Sequence, residues 1–498
     1  MSPRRAIIDI GSNTVRLVMY GGPPRAPTVL HNEKVTAKLG KSVGESGLLS
    51  DKAMAGALAA LARYKALVDV ACVAELEVVA TAAVRDAANG AQFLDSIRAI
   101  GLNPRLLSGE EEALTSAHGV IAAFPRAKGI VADLGGGSLE LVDIAGDVCQ
   151  HGISLPLGSL NLSKLRQAGA ARFDKSVAEV LQAADLSQGL EEPLYLVGGS
   201  CRAFARFAMD ATRWPLDDPH GFELDTAKAI ALADTLSCQS SDVPMQVPGL
   251  SASRIGALPD VAALLAVLIQ QIGPSKLVFS SWGLREGLIY NGMEPTARMQ
   301  DPLLAGIAAF TQDRGSPVSL ATMVAGWTAR ANPCGQSGRE NLRLAATMLA
   351  IASLQLEPNL RIEHAVDWAL RKRWIGIDCE GRAMMAAAIL ANGGRTSAPA
   401  ELGRLAPEKS LLEAAVWGQA IRLCRRLTGG SASAISSSAL GVQGDRLFLS
   451  VGASLAALFT ETIEKELRTL AKMLDLKAEF TVVTEGTNHR IGEAISYQ

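Results

Sequence analysis

Two stretches of the chain, RRAIIDIGSNTVRLVMY from Arg4 to Tyr20 and GIVADLGGGSLELVDI from Gly129 to Ile144, superpose without a gap. In this register Asp9 falls on Asp133, Gly11 on Gly135, Thr14 on Ser138, Leu17 on Leu141 and Val18 on Val142. One pair is opposite in charge, Arg16 on Glu140. Each copy reads as an apolar strand ending in an acid, a tight turn rich in glycine and hydroxyl residues, and a second apolar strand. A chain that writes this hairpin twice is committed to two related lobes.

Strand and helix patterns alternate around the hairpins. GLLSDKAMAGALAALARYKALVDV and AQFLDSIRAIGL have apolar residues at helical spacing, and LEVVATAAVRDAANG is a strand followed by a loop. LLSGEEEALTSAHGVIAAF opens a helix after a strand, and DVCQHGISLPL continues the strand series. LYLVGGSCRAFARFAM and KLVFSSWGLREGLIYNGM each read strand, turn, helix. Such alternation is the signature of an α/β domain. Beyond about residue 300, helical patterns dominate in RENLRLAATMLAIASLQL and IEHAVDWALRKRW, with a small β element in SAISSSALGVQGDRLFLSVG and EFTVV. The expected division is therefore 1–124, 125–300 with Pro125 near the boundary, and 301–498 as a mostly helical domain. The 498 residues suit roughly three domains of ~150 each.

Only 4% of residues are aromatic against 48% apolar, so the cores must be built from Ala, Leu, Val and Ile. A net charge of −2 argues against a general nucleic-acid or membrane coat; a polyanion would have to be held by local basic groups. The cysteines (Cys72, Cys149, Cys201, Cys238, Cys334, Cys379 and Cys424) are scattered without a CxxC pair, as in a reducing compartment. Behind MSPRR the apolar segment stops at Asp9, too short for a secretion signal, and the longest apolar run, VAALLAVLI, is about half a membrane span. A cytoplasmic protein with no stable membrane insertion is expected.

A glycine turn leaves successive backbone N–H groups free to converge on an anion, and Gly135, Gly136 and Gly137 remove every Cβ that would hold a phosphate away. Asp9 and Asp133 end their strands beside these turns, where carboxylates can hold Mg²⁺ that in turn bridges phosphate oxygens. Taken alone, such a hairpin is a glycine turn with a capping Asp; two in one register point to a shared phosphate site. No GxxxxGK[ST] occurs, which excludes a P-loop enzyme. Gly198, Gly199 and Ser200, between a strand and a helix, form a third candidate phosphate turn, and Arg85 beyond a strand end has the reach for a bidentate phosphate contact. In SGEEEA, Ser108 and Glu111 fit a capping box and Glu110 suits the helix dipole. Glu112 is not needed by the cap and is a candidate base for water. His118, His151, His220, His364 and His489 show no metal-ligand spacing, and Cys201 reads as a small buried residue.

Together, DIGSNTVRL, ATAAVRDA, SGEEEA, DLGGGSLELV, SLPLG, LVGGS and WGLREGLIY resemble the exopolyphosphatase / guanosine pentaphosphate phosphohydrolase family of the actin, hexokinase and heat-shock chaperone superfamily. The resemblance covers about the first 290 residues and implies two RNase H-like α/β domains with the site between them, followed by a helical HD-like domain. It implies that Glu112 activates water and that Asp9, Asp133 and Glu140 are tied to Mg²⁺. Gly11, Ser12, Asn13, Thr14, Arg85, Gly135 to Ser138, Gly198 to Ser200 and, by a looser alignment, Arg254 would hold polyphosphate. Asn161 stands where many relatives carry an arginine, and the helix AATMLAIASLQL lacks the His-Asp metal signature of an HD domain, so that domain is expected to be degenerate. Its arginines (Arg371, Arg373, Arg422, Arg425, Arg426) either line a groove or a dimer interface, or are simply the polar faces of helices. The expected activity is release of orthophosphate from inorganic polyphosphate by a homodimer. Hydrolysis of pppGpp to ppGpp, a non-catalytic polyphosphate or alarmone sensor, and a small-molecule kinase on the same fold are the alternatives.

Overall fold

Ile7, Ile8 and Ile10 are β-branched and buried on both sides, which makes the first strand the centre of a sheet and not its edge. A computed structural model describes residues 4–184, 191–238, 247–314, 317–331 and 338–483; Cys334 and His489 lie outside the described residues. Residues 1–300 form one compact unit and residues 301–498 another.

The first unit contains two sheets. Strands β1 (Arg5–Ile10), β2 (Val15–Gly21), β3 (Thr28–Val35), β4 (Glu75–Ala80) and β5 (Pro104–Leu106) lie in the order β3-β2-β1-β4-β5. β1, β2 and β3 are antiparallel neighbours, and β4 and β5 continue from β1 in parallel. The second sheet uses β6 (Lys128–Leu134), β7 (Leu139–Ala145), β8 (Val148–Leu155), β9 (Leu194–Val197), β10 (Glu223–Asp225) and β11 (Lys276–Phe279). Its order, read from the β8 edge, is β8-β7-β6-β9-β11-β10. The first five positions repeat the first sheet in direction as well as order, and β10 is an added antiparallel edge. The repeat thus extends from the hairpin to the connectivity of two whole sheets.

Around the first sheet, the helix Asp51–Val70 starts at Ser50, whose hydroxyl accepts the Ala53 N–H, and buries Ala57, Leu61, Tyr64 and Val68. The second core is filled by the helix Ala252–Ile272. By length and composition its residues Arg254–Ile272 are apolar enough to cross a membrane, but Leu264, Leu265, Leu268 and Ile269 are buried in that core. VAALLAVLI is therefore the middle of a longer core helix. Scarce aromatics are concentrated here: Phe222 stacks on Phe279 at 5.7 Å, with Phe204 alongside.

The helix Gly109–Ala123 opens with the anticipated capping box: the Glu111 N–H donates to Ser108 Oγ at 3.1 Å and the Ser108 N–H to Glu111 Oε2 at 2.8 Å. Although it precedes residue 124, this helix packs on β7 and β8 of the second sheet and on the helix Leu284–Asn291. That last contact is backbone against backbone. A methyl at Gly287 would sit 1.8 Å from the Thr115 carbonyl oxygen, and one at Gly119 would sit 2.2 Å from that of Gly283. Three small residues thus lock together the helix whose Ser116 reaches Asp133 and the helix whose Arg285 reaches Asp9.

The unit 301–498 is mostly helical, with Cys379–Asn392 almost wholly buried and Glu340–Ala352 and Glu408–Thr428 buried over most of their length. β12 (Ser438–Gln443), β13 (Arg446–Gly452) and β14 (Lys477–Val483) form a three-stranded sheet on the segments read as strands. Arg422 and Arg426 pair with the enclosed Glu466 at 2.9 and 2.8 Å, and Arg371 pairs with Asp367 at 3.1 Å. Arg425 is half-buried, and burial with the neighbouring Arg422 and Arg361 pushes its pKa down.

Replacing Gly287 by Ala is expected to destabilise the first unit by about 1–3 kcal/mol, the usual consequence of overpacking, and to lower its urea midpoint. Gly56→Ala, where the added methyl meets open space in a helix, is expected to be neutral or stabilising by up to about 1 kcal/mol. Equal midpoints for the two variants would contradict the helix contact described.

Candidate functional site

The twin turns have the same internal bond. The Gly11 N–H donates to the Thr14 carbonyl at 3.0 Å, and the Gly135 N–H to the Ser138 carbonyl at 3.0 Å. Downstream loops take up the turn carbonyls. In the first lobe the Gly40 and Lys38 N–H groups donate to Ser12 and Asn13, and in the second those of Ser159 and Leu160 donate to Gly135 and Gly136. With their carbonyls tied back, the turns present N–H groups. Among the described residues, those of Ser12, Asn13, Gly136 and Gly137 have no hydrogen-bond acceptor.

The two turns meet. A methyl at Gly137 would lie 2.8 Å from Ser12 Oγ, and one at Gly136 would lie 3.2 Å from Ser12 Cβ. No apolar side chain separates them, and both border one cleft of ≈ 800 Å³. The third turn joins the same cleft: Gly198, with φ of 100°, precedes the helix Gly199–Ala211, whose first N–H groups lack intrahelical partners. Asp9, Glu112, Asp133 and Glu140 all line it.

Each carboxylate has a specific setting. Ser116 donates to Asp133, and Ser154 Oγ donates to Glu140 Oε1 at 2.9 Å. Asp9 faces Arg285 at 3.6 Å. Glu112 faces Arg85, whose Nη1 lies 3.3 Å from its Oε2. Arg85 also reaches the Leu107 carbonyl and Asp86, and together with Asn161 it lines an adjoining pocket of ≈ 270 Å³ instead of the main cleft. The guanidinium expected on phosphate is thus turned toward the candidate base.

Burial raises the pKa of all four acids. For Glu112 it does so to about 7, with Asp133 and Asp9 adding to the rise and Arg85 opposing it. Glu140 is pushed well above the ordinary carboxylate range by burial, then by Glu112 and Asp133. Asp9 and Asp133 also rise by burial, held back respectively by Arg285 and by the Ser116 hydrogen bond. Two of the cations are displaced the other way: burial, with Arg285 and Arg254 nearby, lowers Arg202 to about 10, and burial with Arg254 and Arg16 lowers Lys34. A metal cation relieves the acids and a polyanion relieves the bases, so the cleft suits the two together.

Among the described residues no three His, Cys, Asp or Glu side chains converge into a metal cage. Mg²⁺ needs none, because it is commonly held by one or two carboxylates with substrate phosphates and water completing its shell. Asp9 and Asp133, at corresponding positions of the two hairpins, supply hard oxygen donors of that kind. The sequence reading missed Lys34, Arg202 and Arg285 and assigned no role to Arg16 or Ser116. Two of the cations lie inside quoted stretches: Arg202 follows GGSC, and Arg285 is the arginine of WGLREGLIY. Arg254, aligned loosely, does line the cleft, with Nη2 3.4 Å from a methyl built at Gly199.

Residues 19–296 match the model of the Ppx/GppA phosphatase family. Exopolyphosphatase 1 of Mycobacterium tuberculosis is 26% identical over 318 residues, which covers 59% of this chain and 89% of that protein. The crystal structure of an Aquifex aeolicus Ppx/GppA family member is 26% identical with a TM-score of 0.51, covering 58% of this chain and 97% of that one. An exopolyphosphatase from Cytophaga hutchinsonii shares the fold at 21% identity, with a TM-score of 0.53 over 58% of this chain and 99% of that one.

The Glu112 carboxyl is expected to titrate with a midpoint of about 7. Arg85→Ala removes a cation that lowers this value, so the midpoint should move up, as read from the carboxylate stretch in infrared difference spectra. A midpoint in the ordinary range near 4.5 would show Glu112 to be solvated.

Proposed function

Because the chain belongs to the Ppx/GppA phosphatase family, and hence acts as a hydrolase on phosphoanhydrides, we propose that it is an exopolyphosphatase that removes the terminal phosphate of inorganic polyphosphate. The observation that carries this reading is the meeting of turns 11–14 and 135–138 on a cleft that Glu112 borders.

The N–H groups of both turns and of the helix Gly199–Ala211 bind the oxygens of the terminal phosphoryl group and fix it before reaction. Arg202 and Arg285 add positive charge from the second lobe. Glu112 orients a water and accepts its proton as the oxygen attacks phosphorus; the bridging oxygen departs with the shortened chain, and orthophosphate leaves. Arg85 holds the Glu112 carboxylate in place and favours its ionised form. Asp9 and Asp133, with Glu140 behind them, would hold Mg²⁺, which when bound neutralises charge on the phosphate oxygens. A base with a pKa of about 7 combines a large ionised fraction at neutral pH with real proton affinity.

The cleft also favours polyphosphate over pppGpp. Among its described lining residues there are six cations (Arg16, Lys34, Lys38, Arg202, Arg254 and Arg285) and no aromatic side chain to stack on guanine. On this reading the C-terminal unit is a degenerate HD-like module and the chain acts as a cytoplasmic homodimer, for which light scattering is the direct check.

Glu112→Gln is expected to bind polyphosphate and to release phosphate at least about a hundredfold more slowly, since a general base contributes 10²–10⁴. For the wild type, kcat/KM should fall about tenfold per pH unit below about 7 and level off above it, because only the ionised carboxylate accepts a proton. Wild-type turnover by Glu112→Gln would remove Glu112 from the chemistry. Preference for pppGpp in a competition for phosphate release would reassign the substrate.

A further inference from the structure

Three of the four cleft carboxylates accept a side-chain hydrogen bond: Asp133 from Ser116, Glu140 from Ser154 and Glu112 from Arg85. Asp9 differs. Among the described residues its carboxylate accepts no hydrogen bond, although its side chain is only 21% exposed. The Arg285 Nη1 stands 3.6 Å from its Oδ2, inside ion-pair range and outside that of a hydrogen bond. The Arg285 Nε is buried without a partner. A long guanidinium side chain that stops just short of a carboxylate is being held by something else.

The neighbouring residue in the chain supplies the hold. Glu286 is buried, its Oε1 accepting the Tyr20 hydroxyl at 2.7 Å and its Oε2 the Gly283 N–H at 3.2 Å. Burial and Glu286 itself push the Tyr20 pKa well above that of a free phenol, so the hydroxyl stays protonated and donates. Tyr20 lies on β2 of the first sheet, whereas the helix Leu284–Asn291 packs on Gly109–Ala123 of the second lobe, so this bond spans the lobes and fixes the carboxylate. Two neutral donors satisfy its oxygens and leave its charge. Arg285 is the cation beside it: burial works to lower the Arg285 pKa, and Glu286, then Asp9, outweigh burial and raise it. Closing fully on Asp9 would draw the guanidinium away from Glu286, and a buried charge deprived of its partner is strongly destabilising.

We propose that Glu286, anchored by Tyr20, is a positioning residue that restrains Arg285 short of Asp9 and so leaves the Asp9 oxygens open to a divalent cation. The inference rests on the reading of Asp9 as a metal ligand and adds to it the reason that an acid beside a guanidinium is not already neutralised. Asp9 and Arg285 line the cleft and Glu286 does not, so Glu286 acts through Arg285.

The experiment counts Mn²⁺ bound to the full chain without substrate, by electron paramagnetic resonance, for wild type, Glu286→Gln and the double variant Glu286→Gln/Arg285→Met. Glu286→Gln keeps the shape of the side chain and removes its charge. Arg285 should then close on Asp9 and weaken Mn²⁺ binding roughly tenfold. Removing the guanidinium as well should return the affinity to the wild-type value or tighter, a rescue that a merely structural role would not give. Unchanged affinity in Glu286→Gln, no rescue in the double variant, or no Mn²⁺ binding by the wild type overturns the proposal. Should Glu286→Gln fail to fold, a crystal structure of the wild type with Mn²⁺ decides: metal on Asp9 with Arg285 still held off supports the restraint, and Arg285 hydrogen-bonded to Asp9 overturns it. Wild-type protein that binds Mn²⁺ but releases no phosphate from polyphosphate would sink the exopolyphosphatase reading alone, and the comparison of variants would still decide this one.

Discussion

The contact between two bare turns is the constraint on which the site depends. Ser12 lies against Gly136 and Gly137 closely enough that a methyl on either glycine would press into it. The same holds behind the second turn, where a methyl at Gly158 would come within 2.1 Å of the Gly137 carbonyl carbon. Backbone packed this tightly leaves no room for the turns to rotate. Their carbonyls are fixed to the following loops and their N–H groups face outward. Asp9 and Asp133, each two residues ahead of the first turn glycine, are drawn into the same cleft by that geometry. Asp9 adds to the rise that burial gives the Asp133 pKa, as a like charge in one cleft does.

Much of this was legible because it is local. Hairpin register follows from alternation and turn length, so Asp9 beside Arg16 and Asp133 beside Glu140 could be read from the aligned stretches. The capping box of Ser108 and Glu111 is a four-residue signal and appears as written. What escaped depends on pairings between distant segments. Parallel pairing of β4 with β5 brings the loop after β4 beside Leu107 and Glu112, so Arg85 meets a carboxylate. Nothing near ATAAVRDA encodes that meeting. Lys34 was equally hidden, because HNEKV on an exposed edge strand has no apolar alternation and its role comes from pairing with Arg16. The two related lobes expected from the hairpins are seen as two sheets of matching order, although sequence similarity survives only at the turns, where backbone geometry demands particular residues.

On the exopolyphosphatase reading, divergence of the two lobes divides the labour within the cleft. An ancestral hairpin used twice would place like groups on both sides, a symmetric arrangement suited to a symmetric ligand. A polyphosphate terminus is not symmetric: one side must be attacked by water and the other must be held as the leaving chain. Glu140 on the second lobe and Arg16 on the first occupy corresponding positions with opposite charge, and that single inversion gives the cleft a polarity. Helix packing supports it. The glycine contacts of Gly119, Gly283 and Gly287 set Arg285 near Asp9, and Glu286 accepts hydrogen bonds from Tyr20 of the first sheet at 2.7 Å and from the Gly283 N–H at 3.2 Å.

Such a cleft is built at the expense of the stability of the fold. For Glu112 the folded pKa of about 7 lies above the ordinary 4.5, so between those values the folded protein holds a proton that the unfolded chain has lost. Stability then decreases as pH rises through that window, because the more protonated state is the folded one. Asp9, Asp133 and Glu140 shift in the same direction, and Arg202 and Lys34 are displaced against their own charge. Each of these shifts is opposed by a counterion, the carboxylates by a divalent cation and the Arg202 and Lys34 cations by phosphate oxygens. On the exopolyphosphatase reading, a polyphosphate with its metal would carry both and recover on binding the electrostatic energy stored in folding. The unfavourable charges of the cleft are therefore part of its selectivity: a neutral ligand would leave all of them uncompensated, and a short anion would satisfy only those nearest the turns.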